Sequence, residues 1–87
     1  MALYHFNVID GFTIPDPVGV ELPDLRQARI QATRLAGDLL RYSTDRFLND
    51  REWRLEITDE YGLILMTLYL TAIDAPAGQY LRTPNGG

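Results

Sequence analysis

Only one segment of this chain has helical periodicity, and segments with strand periodicity lie on both sides of it. Between residues 25 and 39 the apolar side chains recur at helical spacing and form one stripe. The members of this stripe are Leu25, Ala28, Ala32, Leu35, Ala36 and Leu39. A single amphipathic helix has to bury its stripe on another layer, so we expect this helix to pack on a sheet.

The segment before the helix predicts extended structure. Residues 3–9 alternate apolar and polar side chains, which is typical of a half-buried strand. Residues 12–14 predict a short second strand, which Pro15 ends or confines to a sheet edge because proline has no backbone N–H. Residues 16–19 read Asp-Pro-Val-Gly, the composition of a type I turn, and residues 20–22 predict a brief extended stretch.

The helix and the segments after it have clear predicted limits. Asp24 is a suitable N-cap, and the helix is predicted to end near Tyr42. Residues 52–58 alternate again and predict a strand. Residues 59–62, with Asp first and Gly fourth, predict a type I turn with a glycine bulge. Residues 63–73 then predict the last and longest strand.

These segments predict the order β-β-α-β-β. The expected fold class is α+β, a two-layer sandwich in which one helix packs on a mostly antiparallel sheet of three or four strands. Residues 1–73 are predicted to form a single domain. Residues 74–87 contain two prolines and three glycines, so we expect a flexible C-terminal tail.

Two motifs connect the sequence to a family. The helix is preceded by Glu-Leu-Pro-Asp-Leu at residues 21–25, and the hairpin reads Trp-Arg-x-Glu-x-Thr-Asp-Glu-x-Gly at residues 53–62. With the Asp-Gly pair at residues 10–11, they resemble a family of small bacterial domains of unknown function over about residues 3–71. The resemblance implies this fold and a bacterial cytoplasmic origin, and it implies no activity and no catalytic or binding residue.

Composition excludes several classes of function. The chain contains no cysteine, which excludes disulfides, thiolate metal sites and thiol catalysis. Its net charge of −4 argues against broad affinity for nucleic acid or anionic membranes. No apolar run reaches the length of about 18 residues that a membrane span requires. Since the N-terminus also lacks the pattern of a signal peptide, we expect a cytoplasmic protein without membrane contact.

The sequence offers no set of catalytic residues. The single histidine, His5, lies in a predicted strand and is interpreted as an outward-facing strand residue. An acidic series of Asp10, Asp16, Glu21 and Asp24 fits no EF-hand loop. Because turn and cap roles explain its aspartates, we predict no metal site, no cofactor and no enzymatic activity.

The last strand carries apolar side chains on both of its faces, although one helix covers only one face of the sheet. With a bulged type I turn, Trp53 faces Tyr69, and an apolar row lies on the open face. This candidate interface consists of Ile64, Met66, Leu68 and Leu70. A two-residue loop would exchange the faces and would expose Leu63, Leu65 and Tyr69 instead. Either surplus predicts a partner, unless the tail with Tyr80 and Leu81 folds back over it.

The outward face of the helix is a second candidate surface. Arg26, Ile30, Arg34 and Arg41 share this face and form the candidate docking face. The sequence therefore predicts a small protein-interaction module that forms a homodimer, either sheet face to sheet face or edge to edge through its last strand. One alternative is an adaptor that binds another bacterial protein through the helix. Another is a regulator that binds nucleic acid there, which the small number of arginines disfavours.

Overall fold

The computed structural model describes the backbone of residues 1–50 and 52–80. Five strands form one antiparallel sheet. They are β1 (Ala2–Ile9), β2 (Thr13–Ile14), β3 (Val20–Leu22), β4 (Glu52–Thr58) and β5 (Ile64–Thr71). The helices are α1 (Leu25–Tyr42), α2 (Thr44–Asp50) and α3 (Pro76–Tyr80).

The α+β class is confirmed, and the element order needs correction. The predicted extended stretch at residues 20–22 is a third strand, so the sheet has five strands rather than three or four. Two short helices, α2 and α3, were not predicted. The predicted contact of the tail with the last strand includes Leu81. This residue and the tail beyond it lie outside the described residues.

The order of the sheet is β2-β1-β4-β5, and β3 also pairs with β1. Val8 pairs with Ile14 of β2 near one end of β1, and Tyr4 pairs with Val20 of β3 near the other end. The two short strands therefore follow one another along the same side of β1. Together they form one edge of the sheet, interrupted in the middle by residues 15–19.

Helix α1 begins and ends where the sequence predicts. The Oδ1 atom of Asp24 accepts a hydrogen bond of 2.9 Å from the backbone N–H of Gln27, which satisfies one free donor of the first turn. At the other end, the N–H of Ser43 donates to the carbonyl oxygen of Leu39 over 2.9 Å. Helix α2 follows directly, and its Phe47 packs against the core.

The core lies between α1 and the two central strands, β1 and β4. The buried residues of α1 are all alanines, whose small side chains allow the helix to approach closely and leave the volume to larger residues of the strands. The buried apolar residues are Tyr4, Phe6, Val8, Ala28, Ala32, Ala36, Trp53, Leu55 and Ile57. Trp53, Leu55 and Ile57 are the largest fully buried side chains, so β4 contributes the most deeply buried large residues of this core.

The turn between β4 and β5 has the predicted form. The N–H of Asp59 donates to the carbonyl oxygen of Leu63 over 3.0 Å, and the N–H of Gly62 donates to the carbonyl oxygen of Asp59 over 3.1 Å. Gly62 has a φ of 86°, a left-handed conformation that glycine adopts without steric penalty. Asp59 and Leu63 therefore face each other, as expected for a type I turn with a glycine bulge.

A second bulge then changes the register of the hairpin. Thr58 still pairs with Ile64, but Ile57 pairs with Met66, so Leu65 is an extra residue on β5. A one-residue shift moves every following side chain to the opposite face of the sheet.

The predicted placement of the candidate interface on the open face is therefore wrong for three of its four residues. Met66, Leu68 and Leu70 lie on the helix-covered face and pack against the core, because the second bulge reverses their direction. Trp53 pairs with Leu70 and not with Tyr69. Tyr69 pairs with Arg54 and lies on the open face instead. From the sequence, an exposed Tyr69 is expected only for a hairpin with a two-residue loop.

Candidate interaction surfaces

Strand β5 is the last strand on one side of the sheet among the described residues. Within the described residues it pairs with β4 alone. It has eight residues, Ile64–Thr71, and none of them is charged or a proline. Edge strands in soluble proteins are commonly protected by charges, prolines, bulges or a covering segment. The bulge at Leu65 interrupts only the start of β5, and the longer part from Met66 onward has neither charge nor proline.

The side chains of β5 differ between its two faces. On the helix-covered face, Met66, Leu68 and Leu70 are only partly buried, whereas their neighbours on β4 are fully buried. On the open face, Ile64 and Tyr69 are each 52 % exposed. The apolar layer under the helix therefore continues to β5 without complete cover.

The middle of the open face is polar. Arg54 and Glu56 of β4 lie there with 3.6 Å between the Arg54 Nε and the Glu56 Oε2. Asn7 of β1 donates from Nδ2 to the Oγ1 of Thr58 over 3.5 Å. These half-buried polar groups mean that the open face is not the apolar docking surface that the sequence predicts.

The opposite edge of the sheet is closed by the side chain of Asp16. The backbone N–H of Phe6, in the part of β1 between its pairings with β2 and β3, donates to the Oδ2 of Asp16 over 3.2 Å. The Oδ1 atom accepts from the N–H groups of Val18 at 3.2 Å and Gly19 at 3.1 Å. The sequence predicts the turn bonds but not the bond to Phe6, because that residue is distant in the chain.

Two further contacts fix this loop against β1. The Nδ1–H of His5 donates to the carbonyl oxygen of Asp16 over 2.7 Å, and the N–H of Asp16 donates to the Oδ1 of Asn7 over 2.9 Å. The structure thus assigns His5 a structural contact. Burial alone would raise the pKa of Asp16, but the N–H donors of Gly19, Phe6 and Val18, with nearby His5, together hold that pKa below its usual value.

The acidic series is spread over separate elements. Asp10 is buried at the end of β1, Asp16 closes the loop, Glu21 is exposed on β3, and Asp24 caps α1. Among the described residues, no group of three histidine, aspartate or glutamate side chains is placed to hold a metal ion.

The outward face of α1 carries exposed arginines. Arg26, Arg34 and Arg41 are exposed, and Ile30 between them is half-buried. Arg41 lies 3.7 Å from Asp38, measured from Nη2 to Oδ1. In the part of the chain that the structure describes, Arg26 and Arg34 make no ion pair.

The elements from β1 to β5 correspond to a known family model. The model described as "Domain of unknown function (DUF6894)" matches residues 3–71. The chain belongs to this family. The match ends at Thr71, the last residue of β5, and leaves α3 outside. Bacterial origin is not part of this finding and stays a prediction.

Other comparisons give no relative with a known role. No curated protein and no solved structure matches the chain. None of the described helices has the length and apolar character needed to cross a membrane.

Proposed function

We propose that this DUF6894 domain is a protein-interaction module that self-associates by pairing β5 with the β5 strand of a second copy. The observation that carries the proposal is the edge itself, because among the described residues β5 pairs with β4 alone and none of its eight residues is charged or a proline. Such an edge is a template for another strand. Antiparallel pairing about a two-fold axis would extend the sheet across both copies.

The side chains of β5 support a second copy as the partner. The partly buried Met66, Leu68 and Leu70 lie on the helix-covered face, so the same residues of a second copy would extend this apolar layer. Neither strand brings a charge to the junction, so pairing requires no desolvation of a charged group. Homodimer interfaces are richer in apolar groups than transient ones, which this composition fits.

A matched pair of threonine variants tests the proposal. Thr67 on β5 and Thr13 on β2 are both exposed strand residues at opposite edges. Lysine at position 67 would place a charge on β5, and its two copies would repel each other across a two-fold axis. We expect light scattering behind size exclusion to show a dimer for the natural chain and for Thr13→Lys, and a monomer for Thr67→Lys.

Two outcomes would overturn this proposal. A natural chain that stays monomeric up to about 100 μM would exclude a dimer of micromolar affinity. A dimer that Thr67→Lys leaves intact, with both variants folded by circular dichroism, would place the interface elsewhere. A dimer that only Thr13→Lys breaks would assign it to the β2–β3 edge.

The proposal includes no catalytic role and no cofactor. His5, the single histidine, already bonds the backbone of Asp16. A cytoplasmic location also belongs to the proposal, since the family resemblance of the sequence implies a cytoplasmic origin.

A further inference from the structure

The charges of this domain are unevenly distributed. Helix α1 contains four arginines and one aspartate, a net charge of +3, although the whole chain carries −4. The rest of the chain therefore carries −7. Such an asymmetry gives the outer layer of the molecule a potential opposite in sign to that of the whole.

Three of the four arginines of α1 lie along its outer side. Arg26, Ile30 and Arg34 are spaced at i, i+4 and i+8, and residues at this spacing are neighbours on a helix surface. Ala28 and Ala32, which face the core, are two positions away from Ile30 and thus on the opposite side of the helix. We call the set of Arg26, Ile30, Arg34 and Arg41 the arginine ridge.

The ridge is free of partners over most of its length. Among the described residues, neither Arg26 nor Arg34 makes an ion pair, and Arg41 makes only the long contact with Asp38. At a rise of about 1.5 Å per residue, Arg26 and Arg41 are about 22 Å apart along the axis. The ridge therefore has the length of a helix of about four turns, with an apolar residue among the arginines.

We propose that the arginine ridge docks an acidic amphipathic segment of another protein. Carboxylates of that segment would pair with Arg26 and Arg34, and an apolar side chain would lie on Ile30. Arginine suits this role because its planar guanidinium accepts a carboxylate in a bidentate manner. This surface is separate from the β5 edge, so the inference does not depend on self-association.

Three observations favour a protein segment over nucleic acid. The rest of the domain carries −7, which repels a long polyanion. Asp38 lies beside Arg41 and would face a phosphate backbone. The ridge also contains no aromatic side chain on which a base could stack, whereas Ile30 offers an apolar contact.

The probe for this proposal is a synthetic amphipathic peptide of about 18 residues, with glutamates and a central leucine at i, i+4 spacing. We expect it to shift amide resonances of α1 in the ¹⁵N-labelled full chain, with binding that weakens as salt is added. The variant Arg34→Glu should weaken binding by about tenfold or more. Arg29→Glu is the matched control, because Arg29 is exposed on α1 but lies off the ridge.

Each alternative result of this titration has a definite meaning. No resonance shift with the peptide at millimolar concentration would overturn the proposal. Equal weakening by Arg34→Glu and Arg29→Glu would also overturn it, since binding would then follow total charge rather than the ridge. Tighter binding of a 20-base-pair DNA duplex than of the peptide would assign the ridge to nucleic acid. A lysine-for-glutamate peptide that binds equally well would exclude charge recognition.

Discussion

The two edges of the sheet are built in opposite ways. At the β2–β3 edge, Pro15 and Pro17 interrupt the strand, and the Asp16 carboxylate takes the place of a neighbouring strand by accepting the N–H of Phe6. At the β5 edge, the strand runs over eight residues without charge or proline. Both edges belong to one sheet and one short chain, so their difference is a difference in local sequence.

The contrast between the two edges is the reason to consider β5 as an interaction site. A chain that left both edges open would say little about partners, because small sheets always have edges. Here one edge contains two prolines, a charged group and a loop that interrupts the strand, all of which discourage the addition of another strand. Residues 66–71 of β5 contain no charge and no proline, and this asymmetry supports the proposal that a second strand adds at β5.

The largest effect that we expect comes from placing a charge on the covered face of β5. Met66→Asp should lower the free energy of unfolding by about 3 kcal/mol, because Met66 packs against the core and a carboxylate there loses water without gaining a partner. An exposed strand residue away from the proposed interface gives the control, since Thr13→Asp should cost less than about 0.5 kcal/mol. Urea denaturation of both variants measures the difference. Two equally small losses would mean that Met66 does not face the core, as in a register without the second bulge.

The same strand shows which parts of the fold the sequence predicts. The turn follows from local chemistry, because Asp59 and Gly62 favour one turn type whatever surrounds them. The second bulge does not, because Leu65 and Met66 are both apolar and alternation allows either one to face the core. The absence of apolar–polar alternation in this stretch is the one feature of the sequence that indicates an uncertain register. Only packing under α1 selects between the two faces, and packing is a tertiary property.

The candidate surfaces differ in the same respect. The outward position of Arg26, Ile30 and Arg34 follows from helical spacing, since α1 has one apolar stripe and the rest of its surface must face away from the sheet. The role of Asp16 at the β2–β3 edge has a local and a distant part. Its bonds within the turn follow from the sequence, but its bond to Phe6 requires knowing that the loop returns to β1.

The next largest effect concerns the closed edge. Asp16→Ala removes the acceptor of three backbone N–H groups, one of them from the buried Phe6, and should lower the free energy of unfolding by about 2 kcal/mol. Glu21→Ala is the control on the same edge, because Glu21 is exposed and should cost less than about 0.5 kcal/mol. Equal losses in thermal or urea denaturation would mean that the carboxylate does not hold this edge.

Alanine substitutions at two glycines allow a comparison of the loops that lead into the two edges. Gly19 and Gly62 both have positive φ, 79° and 86°, so alanine is strained at either position. At Gly19, however, a Cβ would lie 3.0 Å from the His5 Cε1 atom and 3.1 Å from the carbonyl oxygen of Tyr4, whereas nothing lies within 4 Å of one at Gly62. We expect Gly19→Ala to cost about 1 kcal/mol more than Gly62→Ala in urea denaturation. Equal costs would mean that the loop moves away from β1 without penalty.

The smallest effect is the dependence of stability on pH that Asp16 adds. Its pKa in the folded chain is held below the unfolded value, so the folded state favours the carboxylate. The resulting stabilisation is complete above about pH 4 and is lost as the pH falls through the lower folded pKa. Asp16 is partly exposed, and solvent screening keeps this contribution small.

Asp16→Asn isolates this contribution, because it removes the titration and keeps a carbonyl oxygen as acceptor. The other carboxylates titrate in both proteins, so the informative quantity is the difference between their unfolding midpoints at each pH. We expect that difference to be constant between about pH 7 and pH 5 and to shrink toward about pH 3. A difference that grows on acidification would mean that the folded pKa of Asp16 is raised, and that the N–H groups of the loop do not stabilise its charge.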